Sequence, residues 1–308
     1  MVDNRIKTIF EKGLFRGEIR YDEPMSAHTS LRIGGPAEVM AFPEDPVSLK
    51  NILIEAQKEN IPVFVFGGGT NLLVRDGGIE GIVISLRAFR SIEFTRESDE
   101  QKAVLYAGAG VLFAGLLKFA QKNGCSGLEA FAGIPGYFGG AVYMNAGSFG
   151  LEVKDVLGSV ALMNMKGEIS LLRKDKMKFT YRNSNLPEGH IILSANVELK
   201  KDAPDVISER MRAYLEKKKN AQPLGEPSAG CVFRNPEGDT AGRLIDSSGG
   251  KGMRIGDVEV SVVHANYFVN MGKATCKNFV ELMEMVRERV RQHSGITLEP
   301  EIKIVGRE

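Results

Sequence analysis

Three consecutive glycines follow an apolar run in the segment Val65-Phe66-Gly67-Gly68-Gly69-Thr70-Asn71-Leu72-Leu73. The residues before them, Pro62–Phe66, are all apolar and predict a short buried strand. Glycines place no side chain in front of their backbone N–H groups, so such a loop suits an anionic group such as a pyrophosphate. A tight turn between two strands is the alternative. Because Thr70 and Asn71 follow directly, we favour ligand contact for this first glycine loop, Gly67–Leu72.

The first glycine loop differs from two common phosphate-binding motifs. Counted from Gly67, the dinucleotide fingerprint G-x-G-x-x-G needs a glycine where Leu72 stands. A second candidate, Gly250-Lys251-Gly252, lacks both the Ser/Thr and the earlier glycine of a P-loop. The sequence therefore predicts phosphate contact without either fold.

A second glycine loop, Gly133–Gly147, contains Gly133-Ile134-Pro135-Gly136-Tyr137-Phe138-Gly139-Gly140 and Asn145-Ala146-Gly147. Glycines beside apolar side chains predict a narrow channel for a flat ring with few polar edges. A flavin, a nicotinamide or a purine fits this description. A third cluster lies within 225–256, and glycine reaches 35 of 308 residues, about 11% against a typical 7% or so.

The overall composition is that of an ordinary globular protein, with 43% hydrophobic and 26% charged residues and a net charge of +1. The near-neutral charge argues against nucleic acid or anionic lipid as a partner. No apolar run approaches the roughly 20 residues of a membrane span, and the N-terminal residues lack a secretory pattern. Cys125, Cys231 and Cys276 form neither a disulfide framework nor a zinc motif. We expect a cytoplasmic monomer that binds a small molecule and no metal.

Hydrophobic periodicity changes near residue 200. Before it, we predict helices at 48–60 and 111–123 and strands at 62–66, 81–86, 103–107, 159–165, 168–172 and 191–198. After it, we predict helices at 204–220 and 275–293 and a strand at 301–305. This order indicates an α+β chain rather than repeated βαβ units, with a larger domain at 1–200 and a smaller one at 201–308.

Six segments, in this order, resemble the UDP-N-acetylenolpyruvoylglucosamine reductase family, flavoenzymes that complete UDP-N-acetylmuramate for bacterial peptidoglycan. They are Thr29–Ala37, Gly67–Leu73, Gly133–Gly147, Ser228–Pro236, Ala241–Asp246 and Leu298–Ile302. The resemblance implies a non-covalent FAD-binding fold of the vanillyl-alcohol-oxidase (PCMH) type in two subdomains, followed by a smaller C-terminal α+β substrate domain. The short connection after Tyr181-Arg182 resembles the form that lacks an inserted substrate-capping loop.

The resemblance also implies the ligands and the residues around the cofactor. FAD is the expected cofactor, NADPH the hydride donor, and UDP-N-acetylglucosamine enolpyruvate the substrate. The predicted cofactor contacts are Arg32, Gly67, Gly68, Gly69, Thr70, Asn71, Leu72, Gly133, Ile134, Pro135, Gly139, Gly140, Asn145, Ala146 and Gly147.

Arg182, within Phe179–Ser184, matches the family's catalytic arginine. Hydride addition at C3 of the enolpyruvyl group leaves negative charge at C2 and on the adjacent carboxylate. A guanidinium is permanently charged and can hold a carboxylate in a planar fork, which suits Arg182 to stabilise that charge. A surface arginine at a strand end is the alternative interpretation.

Two acids complete the implied chemistry. Cys231 matches the family's proton donor, which is commonly a serine, and a thiol with a pKa of about 8.5 is the stronger acid. An inert buried cysteine is the alternative. Glu301 matches the second acid, although Glu299 would share one face of a strand and the residues alone leave both open. Glu301 could also be a strand-end carboxylate paired with Lys303 or Arg307.

A diphosphate nucleotide-sugar needs basic and amide donors. The predicted substrate contacts are Tyr143, Arg243, Lys251, His264 and Asn266, each of which could instead be structural. Two other functions stay open. One is a flavin oxidoreductase of the same fold that acts on an alcohol or hydroxy acid, and the other is a catalytically silent nucleotide-binding protein.

Overall fold

The computed structural model describes residues 3–308; Met1 and Val2, part of the N-terminal stretch from which no leader is expected, lie outside the described residues. Within 3–308, no helix is both long enough and apolar enough to cross a membrane. The chain forms two compact units. The first contains the residues up to Tyr21, Val39–Gly68 and Gly81–Lys217, and the second contains Asp22–Glu38, Gly69–Glu80 and Lys218–Glu308.

This division differs from the boundary predicted at residue 200. Two early segments, Asp22–Glu38 and Gly69–Glu80, pack with the C-terminal residues, and most of the helix after residue 200 packs with the first unit. The predicted functional domains at 1–200 and 201–308 stay a prediction.

The helices among the described residues are α1 (Asn4–Glu11), α2 (Pro46–Lys58), α3 (Phe113–Lys122), α4 (Phe138–Tyr143), α5 (Val153–Val156), α6 (Pro204–Ala221), α7 (Ala241–Ser247) and α8 (Cys276–Ser294). The strands are β1 (Gly17–Pro24), β2 (Pro36–Pro43), β3 (Val63–Phe66), β4 (Leu72–Val74), β5 (Ile79–Ser85), β6 (Ile92–Phe94), β7 (Lys102–Gly108), β8 (Cys125–Ser126), β9 (Gly147–Ser148), β10 (Leu151–Glu152), β11 (Leu157–Asn164), β12 (Ile169–Arg173), β13 (His190–Lys201), β14 (Ser228–Cys231), β15 (Arg254–Ile255), β16 (Val258–Val260), β17 (Tyr267–Asn270) and β18 (Lys303–Val305).

The first unit is built on two sheets. One has the strand order β1-β2-β5-β3, with β3 and β5 parallel, so that the first glycine loop follows the edge strand β3. The other has the order β12-β11-β13-β7-β6. The strands predicted at 159–165 and 168–172 are observed as the hairpin β11–β12, which pairs antiparallel across Lys166-Gly167 with Met163 opposite Ile169. One apolar core joins these sheets to α1, α2 and α3.

Local signals set the ends of α2 and α3. The Asp45 side chain accepts a hydrogen bond from the N–H of Ser48 at 2.7 Å and so caps the N-terminus of α2. The helix therefore begins at Pro46, two residues earlier than predicted. Leu49, Ile52 and Leu53 place the apolar face of α2 in the core. Gly124 follows α3 with a φ of +64°, the left-handed conformation in which a helix commonly stops.

The second unit has its own core. Its main sheet has the order β14-β17-β16-β15, and β4 pairs parallel with β18 so that Leu73 lies opposite Ile304. Phe233, Phe268 and Phe279 are fully buried between the sheet and α8. The last predicted strand is shorter than expected and begins at Lys303.

Candidate active site

Within the first unit, the backbone of the first glycine loop touches that of the second. A Cβ on Gly68 would lie 2.6 Å from the Cα of Gly136, closer than real Cβ atoms approach. A Cβ on Gly67 would lie 3.4 Å from the Cα of Gly140. The two loops are separated by more than sixty residues, and Gly68 needs to be glycine for this close approach.

Gly69 and Thr70, which belong to the second unit, carry the anion-binding potential of the first loop. Gly69 is buried with a φ of +63°, and a Cβ there would overlap the carbonyl of His28. Its own carbonyl accepts the N–H of Ser30 at 3.1 Å. Within the described residues, the amides of Gly69 and Thr70 have no acceptor. Thr70 is half-buried, and N–H groups away from water are rarely left unpaired, so this pair of amides fits a phosphate oxygen.

The second glycine loop is held on the segment before α3. The N–H groups of Phe138 and Gly139 donate to the carbonyls of Val111 and Ala109 at 2.8 and 2.9 Å. A Cβ on Gly139 would lie 2.7 Å from the Cβ of Ala109, so this position admits only glycine. Elsewhere in the loop, Gly133 and Pro135 are exposed, whereas Ile134, Gly140, Ala146 and Gly147 are half-buried.

Arg182 lies in a two-residue turn. Thr180 and Asn183 exchange two backbone hydrogen bonds of 2.9 and 3.1 Å, which leaves Tyr181 and Arg182 at the centre of this Arg182 turn, Thr180–Asn183. Arg182 has a φ of +55°, and the left-handed conformation costs a non-glycine residue about 1 kcal/mol or more. Strain of this kind concentrates at functional positions. The half-buried guanidinium lies 5.0 Å from the Tyr181 ring centroid.

The structure brings the Arg182 turn to the second glycine loop. A Cβ on Gly147 would lie 2.7 Å from Nη1 of Arg182. The N–H and hydroxyl of Ser184 both donate to the carbonyl of Tyr143, at 3.2 and 2.9 Å. Tyr143 is 49% exposed, which is compatible with the predicted substrate contact. Asn145 lies at the same junction and is fully buried.

In the second unit, hydrogen bonds place the Cys231 segment beside Glu301. The N–H of Glu301 donates to the carbonyl of Val232 at 2.7 Å, and the Asn71 amide donates to the carbonyl of Glu301 at 3.2 Å. Glu301 is half-buried and Glu299 is exposed. The difference in burial favours Glu301 over Glu299 as the second acid.

The three cysteines differ in accessibility. Burial, with the nearby charge of Asp76, raises the pKa of Cys276 to about 11, and burial also raises the pKa of Cys125. Cys231 is partly exposed. Because the thiolate is the reactive form, Cys125 and Cys276 fit the structural role expected of a buried cysteine.

The other predicted contacts fall into two kinds. Arg243 and Lys251 are exposed cations that form ion pairs with Asp239 and Asp246, and the bonds from Arg243 lower the pKa of Asp239 to about 2. Arg32 is an exposed residue in a turn, with a φ of +54°. Exposed cations of this kind can turn toward a diphosphate.

His264 and Asn266 are built into the second unit. His264 packs edge-on against Tyr267, and burial lowers its pKa. Asn266 is 1% exposed, and its side chain bonds both the N–H and the carbonyl of Phe233, at 2.9 and 2.8 Å. These two hydrogen bonds hold the segment that carries Cys231. They favour a structural role for Asn266 over the predicted substrate contact.

The three predicted catalytic residues are divided between the units. Arg182 belongs to the first unit, and Cys231 and Glu301 belong to the second. Their convergence around one substrate stays a prediction. Sequence reasoning missed Glu152, which lies beside Gly147; the only signal was its spacing of three residues from Asp155, typical of a helix N-terminus.

The paired glycine loops and the α+β fold define an FAD-binding flavoprotein of the vanillyl-alcohol-oxidase type. Residues 37–172 match the family described as an FAD binding domain. A berberine bridge enzyme variant shares the fold, with a TM-score of 0.50 and 15% identity over 65% of this chain and 44% of that one. The predicted fold class is confirmed.

More specific matches cover nearly the whole chain. Residues 222–305 match the C-terminal domain of UDP-N-acetylenolpyruvoylglucosamine reductase. The reductase of that name from Geotalea uraniireducens is 42% identical over 94% of this chain and 95% of its own length. The crystal structure of the Thermus caldophilus enzyme is 36% identical, with a TM-score of 0.78 over 94% of this chain and 98% of that one. The chain belongs to the UDP-N-acetylenolpyruvoylglucosamine reductase family.

Proposed function

We propose that this protein reduces UDP-N-acetylglucosamine enolpyruvate to UDP-N-acetylmuramate with NADPH and bound FAD, as a monomer in the cytoplasm. The reaction supplies a precursor for peptidoglycan and so serves cell-wall synthesis and division. The observation that carries the proposal is the backbone hydrogen bond from Glu301 to Val232, which pairs the residue after Cys231 with Glu301 in the second unit. Membership of the reductase family over nearly the full chain supports it.

The glycine loops fit FAD. The close approach of Gly68 to Gly136 excludes side chains where a flat ring would need room, and the amides of Gly69 and Thr70 lack internal acceptors among the described residues. When bound, FAD supplies the hydride chemistry between NADPH and the enolpyruvyl group. The protein's part is to hold the reactants, to stabilise charge and to supply a proton.

Each candidate residue has a distinct task. Arg182 holds the substrate carboxylate and stabilises the negative charge that develops when C3 receives hydride. The Cys231 thiol then donates its proton to C2, which completes the saturated lactyl ether. Glu301 supports this transfer and helps to return a proton from solvent to the thiolate. The sum is one hydride and one proton added across the double bond.

Product analysis tests the proposal. Purified protein with FAD is incubated with NADPH and the enolpyruvyl nucleotide, and the product is identified by mass spectrometry. We expect a mass gain of two hydrogens that depends on NADPH. If an alcohol or hydroxy acid instead bleaches the flavin absorbance without NADPH, the alternative oxidoreductase is favoured. A protein that binds FAD and transforms no substrate would be the silent nucleotide-binding protein.

A further inference from the structure

Asn145 lies buried where the second glycine loop meets the Arg182 turn. It is 0% exposed, and its φ of +42° is in the left-handed region. The side-chain amide donates to Oε2 of Glu152 at 3.0 Å and to the carbonyl of Thr180 at 3.4 Å. Its oxygen accepts the N–H of Lys154 at 3.0 Å. The protein thus satisfies both polar atoms of this side chain.

Glu152 makes several of the interactions around Asn145. Besides Asn145, its carboxylate pairs with Nζ of Lys154. Glu152 and Asp155 also form a reciprocal capping box at the start of α5. These interactions hold the Glu152 carboxylate at the edge of the second glycine loop. The Glu152 side chain is only 23% exposed.

The side chains of Glu152 and Arg182 both lie against the backbone of Gly147. A Cβ at this position would lie 2.7 Å from Nη1 of Arg182 and 3.1 Å from Cγ of Glu152. Asn145 meanwhile bonds Thr180, the first residue of the Arg182 turn. A residue in a strained backbone conformation persists only when its surroundings over-determine it. Asn145 and Glu152 supply such surroundings from one side of the turn.

We propose that Asn145 and Glu152 are positioning residues for Arg182. They tether the Arg182 turn to the second glycine loop and thereby fix where the guanidinium meets the substrate carboxylate. Neither side chain touches the substrate. The proposal rests on the proposed function for the role of Arg182, whereas the tether itself is a property of the first unit alone.

The sharpest variants are at Glu152, because Asn145 is buried and its replacement can prevent folding. Glu152→Ala removes one of the two acceptors of the Asn145 amide, and Glu152→Gln keeps an acceptor at that position. The chain offers a matched control in the β11–β12 turn. There Asn164 donates to Glu168 at 2.7 Å and accepts two backbone N–H groups, away from the glycine loops. Glu168→Ala therefore breaks a similar pair without touching the Arg182 turn.

Hydrogen–deuterium exchange of the purified protein tests the tether without turnover. We expect faster exchange in the peptide that contains Thr180–Asn183 for Glu152→Ala, parent-like exchange for Glu152→Gln, and no change there for Glu168→Ala. Unchanged exchange in Glu152→Ala overturns the tether, whatever reaction the protein catalyses.

Rapid-mixing kinetics test the consequence for Arg182. Misplacing a catalytic group by about 1 Å can slow a step about a hundredfold. We expect Glu152→Ala to slow flavin reoxidation by substrate on that scale, with the FAD dissociation constant and the rate of flavin reduction by NADPH unchanged. In an Arg182→Ala background, the same replacement adds no further slowing.

The outcomes separate the two claims. Loss of FAD affinity in Glu152→Ala, or equal slowing with and without Arg182, overturns the positioning role. If Arg182→Ala itself reoxidises at the parent rate, the proposed role of Arg182 is wrong, and the exchange result still decides whether the tether exists.

Discussion

Arg182 occupies a backbone position that glycine favours, and this makes the choice of arginine informative. Replacing it tests its conformation and its chemistry separately. We expect Arg182→Gly to be more stable than Arg182→Ala by about 1 kcal/mol, because only glycine accepts a φ of +55° without strain. Denaturant unfolding of the two variants measures the difference. Equal stabilities would contradict the left-handed conformation.

Both Arg182 variants are expected to lose the reductive step. Removing one preorganised donor to a developing anion commonly slows a reaction by about a hundredfold or more. The rate of flavin reoxidation by substrate measures this loss, while flavin reduction by NADPH serves as the internal control. A parent-like reoxidation rate in either variant would remove Arg182 from the mechanism.

Cys231 is the predicted proton donor, at a position where the family resemblance implies that a serine is more common. We expect Cys231→Ser to keep most of the activity, because a hydroxyl can still deliver a proton. Cys231→Ala should lose reoxidation by substrate while flavin reduction by NADPH continues. Stopped-flow absorbance separates the two half-reactions. An alanine variant that reoxidises at the parent rate would show that Cys231 is not the proton donor.

At the scale of elements, the contact between the glycine loops is the feature most open to test. Gly68→Ala forces a methyl group against the Cα of Gly136, which requires one loop to move. We expect the FAD dissociation constant to rise at least tenfold or so, as a lost contact worth about 1.4 kcal/mol would produce. Fluorescence titration of the flavin-free protein with FAD measures it.

Gly115→Ala is the matched control for this substitution. Gly115 lies within α3, where the nearest atom to a new Cβ is 3.7 Å away, an ordinary contact. The change should leave FAD affinity unaltered and stabilise the helix slightly. If both substitutions weaken FAD binding equally, the close approach of the loops is not the reason.

Burial of His264 beside β17 predicts a pH dependence of stability. Its pKa lies below the ordinary 6.5, so the unfolded chain binds more protons than the folded one between the lowered pKa and 6.5. The free energy of unfolding should therefore fall as the pH drops through this window. Asp239 and Glu288, with a pKa of about 2, contribute only at lower pH. Denaturant unfolding of His264→Gln should show a flatter profile; an unchanged slope would refute the assignment.

Regular elements were predictable where local signals agree. The predicted helices at 204–220 and 275–293 are observed as α6 and α8, with ends that differ by about one residue. They were predictable because an apolar stripe coincides with an N-terminal Pro204 in the first helix and a C-terminal Gly295 in the second. The strands β1 and β2 were missed, since β1 pairs with β2 and β2 pairs with β5, and this pairing rather than periodicity defines them. The two-residue strands β9 and β10 carry too few residues for any pattern.

The candidate site was predictable only in part, for the same reason. Clustered glycines marked both loops, but no local pattern reveals that Gly68 meets Gly136 or that Val232 pairs with Glu301. Asn266 illustrates the limit. Its sequence context suggested a substrate contact, whereas in the structure its side-chain amide forms hydrogen bonds with the backbone of Phe233.

At the scale of the whole molecule, the chain passes between the two compact units several times. Asp22–Glu38 and Gly69–Glu80 join the second unit although they precede residue 200. The first glycine loop lies at one of these passages, and Arg182 belongs to a different unit from Cys231 and Glu301. Part of the glycine excess, with Gly68 and Gly69 as examples, thus marks positions where backbone segments distant in the chain approach closely.

The proposed function requires that one protein couples NADPH to the enolpyruvyl nucleotide through bound FAD. Anaerobic stopped-flow absorbance tests this most directly. We predict that NADPH bleaches the flavin band and that the enolpyruvyl nucleotide then restores it fully, with one product formed per flavin. A flavin that stays bleached after the nucleotide is added, and recovers only in air, would contradict the account.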